Sequence, residues 1–254
     1  MIAALHHRES GNGTPLVLLH GFPFTSESFA PQLGGAITGA RVIAPDHRGY
    51  GQSPDAGGTA TMEDLADDTL ALLDRLGIGR AIIGGVSMGG YAALALLRRD
   101  PARVAGLALL DTTALPDDAA GKERREQNAQ LVLKNGTAAL IDGLLPKLFA
   151  PSTPAEVRAP IEQQMRAARP QSVAASLRGM AARLDTREVL SRFAGPLLVV
   201  VGEQDAITPP ERAKQMAELV KGSTLVVVPD AGHLANIEQP AVVNAALSAF
   251  VARI

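Results

Sequence analysis

The chain has 254 residues, 46% of them hydrophobic, a net charge of −2 and no cysteine. That length and apolar fraction supply one large core or two modest ones, and the near-neutral balance, without a long basic block, argues against a nucleic-acid groove or a polybasic membrane patch. The lack of cysteine excludes disulfides and thiolate metal sites and suits a reducing compartment.

The opening "MIAALHHRESGNGTP" carries a short apolar patch but neither a basic n-region nor a long h-region, so no signal peptide is expected. No apolar run approaches the roughly 18 residues of a membrane span, and the expectation is a cytoplasmic protein. "PLVLLH" (15–20) and "ARVIAPD" (40–46) read as strands. The helix in "TMEDLADDTLALLDRLG" takes Thr61 as N-cap, Asp64 in its first turn and Gly77 as its stop. "RAIIGGVS" (80–87) and "VAGLALLD" (104–111) are again strands. Such continuously apolar runs mark parallel strands covered on both faces by helices.

From about residue 113 to residue 194 the alternation lapses into polar helical segments, "GKERREQNAQLVLKNG" among them. Leu140, Ile141, Leu144, Leu145 and Leu148 form an apolar stripe at helical spacing, and Thr153 with Glu156 reads as a capping box. Strands resume with "PLLVVVGEQD" (196–205). The helix in "TPPERAKQMAELVKG" takes Thr208 as cap, Pro209 as first residue, Glu211 as the partner of a capping box and Gly222 as stop. "STLVVVPDAGH" (223–233) is the last strand. Alternating strands and helices predict an α/β fold, a mostly parallel doubly wound sheet. The expected division is a core over 1–112, a helical cap or lid over 113–194 and the rest of the core over 195–254.

Gly85-Val86-Ser87-Met88-Gly89 fits the G-x-S-x-G nucleophile elbow, with a strand before it and a helix after it. Side chains two residues either side of the serine would collide with neighbouring strand and helix, so glycine belongs there. A dinucleotide fingerprint fails, because the third position of Gly-x-Gly-x-x-Gly falls on Ser87 or Val86, and a P-loop fails because Gly90 stands where lysine is needed and Tyr91 where serine or threonine is. Serine is a weak nucleophile without a base oriented by an acid. His233 follows the last strand and Asp205 the strand before it, which gives the order Ser87, Asp205, His233 that goes with this elbow. Each stands at a strand's C-terminal end, where parallel sheets assemble their sites.

Asp111, which also ends a strand, is the rival acid. His6 and His7 read as exposed, and His20 and His47 as structural, with Asp46 and Arg48 holding the backbone of "DHRGYGQS". Asp185 reads as a helix cap and Asp230 as a turn residue. The oxyanion donors are backbone amides, Met88 directly after the nucleophile and Phe22 in "HGFP", since Pro23 has no N–H.

The motifs "HGFP", "DHRGYGQS", "GVSMGG", "GEQDAITP" and "AGHLANIEQP" resemble those of the α/β-hydrolase superfamily almost from end to end. Within it the chain is similar to carboxylesterases and 3-oxoadipate enol-lactonases, which have a helical cap between strands six and seven of the α/β-hydrolase fold. "VAGLALLDTTAL", "LLPKLFAP" and "GHLANIE" point to the lactonase side, while the oxyanion loop departs from the Ser-Asn-Ser-Leu-Gly of that group. The resemblance implies a serine hydrolase acting on a small-molecule ester or lactone, without cofactor or metal. It carries the active-site roles to Ser87, Asp205, His233, Phe22 and Met88. Relatives with an aspartate nucleophile are set aside. Perhydrolase or haloperoxidase chemistry, carbon–carbon bond hydrolysis and a low-turnover ligand receptor share the triad and stay open. The cap holds twelve basic and nine acidic residues, which fits either an anionic substrate or a solvated helix surface. With no tryptophan and only Phe149 and Phe193 as cap aromatics, the pocket suits a compact acyl group or small lactone.

Overall fold

The computed structural model describes residues 2–55 and 57–254. Seven strands, β1 (His7–Gly11), β2 (Thr14–Leu19), β3 (Ala40–Pro45), β4 (Ala81–Val86), β5 (Val104–Leu110), β6 (Leu197–Gly202) and β7 (Thr224–Val228), form one sheet in the order β1-β3-β2-β4-β5-β6-β7. All neighbours are parallel except β1, which runs antiparallel to β3. In the middle strands β4 and β6 every residue is buried, as the unbroken apolar runs require.

Helices α1 (Met62–Arg75), α2 (Met88–Arg99), α3 (Ala119–Asn135), α4 (Ala138–Leu148), α5 (Ala155–Ala167), α6 (Pro170–Ala182), α7 (Arg187–Ser191), α8 (Pro210–Glu218), α9 (Ala235–Glu238) and α10 (Pro240–Val251) complete the chain, with a 3₁₀ turn over Ser26–Gln32. Alternate strand residues divide into two cores. Val17, Leu19, Ile83, Leu109 and Val199 face α1, α2 and α8. Leu16, Leu18, Ile82, Leu110 and Val200 face α10 and the 3₁₀ turn. Period-two alternation thus puts helices on both faces of the sheet.

The α1 start follows its sequence signals: Thr61 and Asp64 exchange both hydrogen bonds of a capping box, and Gly77 leaves the helix at φ +67°. Two other expected capping boxes are absent. Pro209, not Thr208, caps α8, and Pro154, not Thr153, caps α5, neither with a side-chain cap bond. Both threonine hydroxyls bond carboxylates instead, Thr208 to Asp205 and Thr153 to Glu238. The sequence reading also passes over β1, whose "HRESG" is polar because it lies at the sheet edge with most residues exposed.

Helices α3 to α7 lie between β5 and β6; counted along this chain, the insertion follows the fifth strand, because the described residues hold seven strands. It straddles the sheet. Ala129 and Val132 of α3, with Val173, Leu177 and Met180 of α6, join the α1/α2 core. Ile141 and Leu148 of α4, with Ile161 and Met165 of α5, join the α10 core. Gly179 lets α6 touch the body, since a Cβ there would stand 1.7 Å from the Ala60 carbonyl oxygen. Polar ties add to this contact. The Tyr50 hydroxyl is hydrogen-bonded to Ser176 Oγ (3.0 Å) and to the Ser172 carbonyl (3.2 Å), while Ser172 Oγ donates to the Gly49 carbonyl (2.7 Å).

Candidate active site

The turn from β4 into α2 has one residue at its corner. Ser87 adopts φ 51° and ψ −113°, outside the regions an L residue favours, a strain on the order of 1–3 kcal/mol. Its surroundings hold it there: the Ser87 N–H donates to the Leu110 carbonyl (3.0 Å), and its own carbonyl accepts from the Thr112 hydroxyl (2.8 Å) and the Gly90 N–H (2.9 Å). The flanking glycines are obligatory. A Cβ on Gly85 would lie 2.2 Å from the Gly89 carbonyl carbon, and one on Gly89 would lie 1.9 Å from the Leu19 carbonyl oxygen. Gly90 is as tightly enclosed, with Thr112 side-chain atoms 2.5 Å from such a Cβ.

Met88 is the first residue of α2, so its N–H has no acceptor one turn back and points from the positive end of the helix. Phe22 lies in the loop after β2, in a turn closed by the Phe24 N–H on the Gly21 carbonyl (3.0 Å). Two buried histidines brace that loop. His20 Nε2 accepts the His47 N–H (2.9 Å), so the His20 proton is on Nδ1, donating to the Gly21 carbonyl (2.9 Å). His47 Nε2 in turn donates to the His20 carbonyl (3.2 Å). Burial keeps both neutral, pushing His20 down to about 4 and His47 well below its ordinary value. Asp46 accepts from the Ser26 and Gln52 amides, and Arg48 pairs with buried Asp68, so both hold backbone or side-chain structure. His6, expected to be exposed, is half-buried with Nδ1 on Asp46 Oδ2 (2.9 Å).

At the ends of β6 and β7 the other two residues meet. His233 Nδ1 donates to Asp205 Oδ2 at 2.8 Å with both side chains buried, which leaves Nε2 as the basic nitrogen of the neutral ring. Asp205 Oδ1 accepts the Ile207 and Thr208 amides (2.8 and 2.9 Å), and Oδ2 accepts the Thr208 hydroxyl (2.8 Å). Burial opposes the Asp205 charge, but His233 and these donors outweigh it and hold the carboxyl below the usual range. Burial likewise opposes a charged His233, yet the Asp205 charge and hydrogen bond, aided by Asp111 and Glu238, raise it above 6.5.

Asp111 does not take the acid's place on His233. At φ 45° and fully buried, it accepts the Gly202 N–H on Oδ1 (2.8 Å) and the Ala235 N–H on Oδ2 (3.2 Å). Burial, then repulsion from Asp205, pushes its carboxyl up to about 7. Asp185 accepts the Arg187 N–H at the start of α7, and Asp230 turns the chain at φ 53°.

Sequence reasoning missed Thr208 and Glu238 as members of this region. The first fits a local capping pattern, and the second fits any short polar helix. Glu238 accepts the Gly232 and Leu234 amides on either side of His233 (2.9 and 3.3 Å). Among the described residues no group of three or more His, Cys, Asp or Glu side chains could hold a metal ion, and no helix is long and apolar enough to cross a membrane.

A mostly parallel sheet with a serine elbow after a middle strand and a buried His–Asp pair at the same edge defines an α/β-hydrolase architecture. The family described as alpha/beta hydrolase fold matches residues 14–240, and the chain belongs to it. A thermophilic esterase from Thermogutta terrifontis, solved with malate bound, superposes with a TM-score of 0.96 at 40% identity, over 99% of this chain and 94% of its own. 3-Oxoadipate enol-lactonase 2 of Acinetobacter baylyi is 30% identical over 84% of this chain and 79% of its own. The dihydrolipoyllysine-residue acetyltransferase component of the acetoin cleaving system of Pseudomonas putida is 33% identical over 94% of this chain. The match spans 64% of that longer protein.

Proposed function

We propose that the protein is a serine hydrolase that cleaves a small carboxylic ester or lactone through an acyl-enzyme, with Ser87 as nucleophile, His233 as base and Asp205 as the acid that orients it. The observation that carries this reading is a histidine whose Nδ1 is fixed by a buried carboxylate, placed after parallel strands of the same sheet whose β4 ends in a strained serine that glycines make possible. His233 Nε2 takes the proton as the Ser87 hydroxyl attacks the carbonyl carbon, and Asp205 stabilises the imidazolium that results. The Phe22 and Met88 amides hold the oxyanion. The imidazolium returns the proton to the leaving alcohol, and His233 then activates the water that releases the acid.

Residues 113–194 act as the cap in this reading, one wall of the pocket over the core segments 1–112 and 195–254. Several cap arginines pair with nearby carboxylates, Arg125 and Arg183 with Asp117, Arg166 with Asp142 and Glu162, and Arg178 with Glu126, while Arg158 and Arg169 donate to backbone carbonyls. Esterase and enol-lactonase relatives support the ester class.

The test is p-nitrophenyl acetate turnover with covalent labelling by a fluorophosphonate. Wild type turns over repeatedly and labels at Ser87. Ser87→Ala loses labelling and at least about 10³-fold in kcat. Activity falls as pH drops through the His233 ionisation, with its acidic limb above pH 6.5, because protonated imidazole is no base. Labelling without turnover, or turnover that survives Ser87→Ala, overturns the reading.

A further inference from the structure

One carboxylate joins the cap to the loop that carries His233. Glu238 stands at the end of α9. Its Oε1 accepts the Gly232 N–H (2.9 Å) and the Leu234 N–H (3.3 Å), the two amides that flank His233. Its Oε2 accepts the Ala150 N–H (2.8 Å) and the Thr153 hydroxyl (2.5 Å), both in the turn between α4 and α5. The remaining amide of the loop, that of His233 itself, donates to the carbonyl of Leu148 at the end of α4 (2.8 Å). Three consecutive amides around the histidine are thus bonded either to Glu238 or to the cap.

The same cap turn is gripped from its far side. Arg158 of α5 donates to the carbonyls of Thr153 (2.8 Å), Ala150 (3.0 Å) and Pro151 (3.0 Å). Contact between turn and loop leaves no spare room: a Cβ on Gly232 would lie 2.7 Å from the Ala150 nitrogen and from the Phe149 carbonyl carbon. The geometry demands an acceptor with two oxygens, each facing two donors. A glutamine in its place has one oxygen, and its NH₂ would stand against one donor pair.

We propose that Glu238 is a positioning residue: its carboxylate fixes the backbone from which His233 hangs and couples it to the α4–α5 turn, so that the seating of the cap sets the aim of the imidazole. This rests on the assignment of Ser87 and His233 proposed above. Asp205 orients the ring through Nδ1, whereas Glu238 anchors the loop, and the two roles are mechanically separate. Charged groups face His233 from three elements: Asp205 after β6, Asp111 after β5 and Glu238 on α9. All three are carboxyl groups that favour the imidazolium, so neutralising Glu238 moves the acidic limb of activity toward lower pH.

The experiment compares p-nitrophenyl acetate kinetics across pH for wild type, Glu238→Gln and Glu238→Asp, with thermal melts to confirm folding and Ser87→Ala as background. Glu238→Gln is expected to lower kcat about tenfold or more, with KM within about threefold, as a base aimed off line does. Its acidic limb should move down by on the order of half a pH unit. Glu238→Asp keeps the charge but is too short to bridge loop and cap, so kcat falls while the limb stays in place. Wild-type kcat and limb in folded Glu238→Gln overturn the proposal, as does a loss matched by the fraction unfolded. If Glu238→Gln does not fold, Glu238→Asp decides: reduced kcat in fully folded protein supports the clamp, and wild-type kcat overturns it. Turnover that persists in Ser87→Ala overturns the assignment of the site and the positioning role with it, a failure distinct from wild-type kcat in Glu238→Gln, which overturns the clamp alone.

Discussion

Ser87 and His233 stand at the same edge of the same sheet, yet different physics holds each in place. Around Ser87 the constraint is backbone against backbone: β4, β2 and α2 close on one another until Gly85 and Gly89 have no room for a Cβ. Around His233 the constraint is carboxylate against donor: Asp205 holds the ring, Asp111 accepts the Gly202 and Ala235 amides, and Glu238 ties the histidine loop to the Ala150 amide, groups that converge only in the folded state. A position set by steric exclusion writes itself into the sequence as glycine at fixed spacing. A position set by long-range carboxylates leaves only scattered acidic residues, which look alike until the chain has folded.

The sharpest way to probe that contrast is within the carboxylate half. Asp205→Asn is expected to lower kcat about 10³–10⁴-fold, because an amide no longer holds the imidazole in its productive form. Asp111→Asn should lose less than about tenfold, since Asp111 braces Gly202 and Ala235 and does not touch the ring. Steady-state kinetics on both variants decide, and a larger loss at Asp111 would invert the two roles. The serine half should fail by a different route. Gly89→Ala forces a methyl group into the Leu19 carbonyl and should cost at least about 3 kcal/mol of stability, which lowers the thermal midpoint by about 6–12 °C. An unchanged melt would show that the elbow yields more easily than its contacts imply. Smallest is Thr208→Val, which removes the hydroxyl on Asp205 Oδ2. One hydrogen bond to a carboxylate corresponds to a kcat about three- to tenfold lower, and wild-type kcat would mean that the two backbone amides suffice to hold Asp205.

The misreadings follow the same division. Thr153 and Thr208 each precede a glutamate by three residues, which is a sound local signal for a capping box. In the fold, Thr208 donates to the Asp205 carboxylate and Thr153 to Glu238, and each helix starts one residue later than the pattern predicts, with Pro209 or Pro154 as its N-cap. Thr61 donates its hydroxyl to the Asp64 carboxylate (2.6 Å) and at the same time accepts the Asp64 amide (3.1 Å), so it caps α1 as its sequence predicts. Strand β1 escaped notice because an exposed edge strand needs no apolar face, whereas β4 and β6, buried on both sides, could hardly be read otherwise. His6 gave no sign of its bond to Asp46, forty positions away.

By itself the sequence determined the alternation of buried strands and helices, the elbow at Ser87 and the order of serine, aspartate and histidine along the chain. These depend on periodicity, glycine spacing and strand ends, all of them local. Tertiary structure decided which carboxylate serves His233, what the threonine hydroxyls bind, and how the α4–α5 turn is fastened to the histidine loop. Those outcomes depend on desolvated charges and on donors brought together from distant segments, and a buried carboxylate goes to whichever donors the packed chain sets within about 3 Å of it.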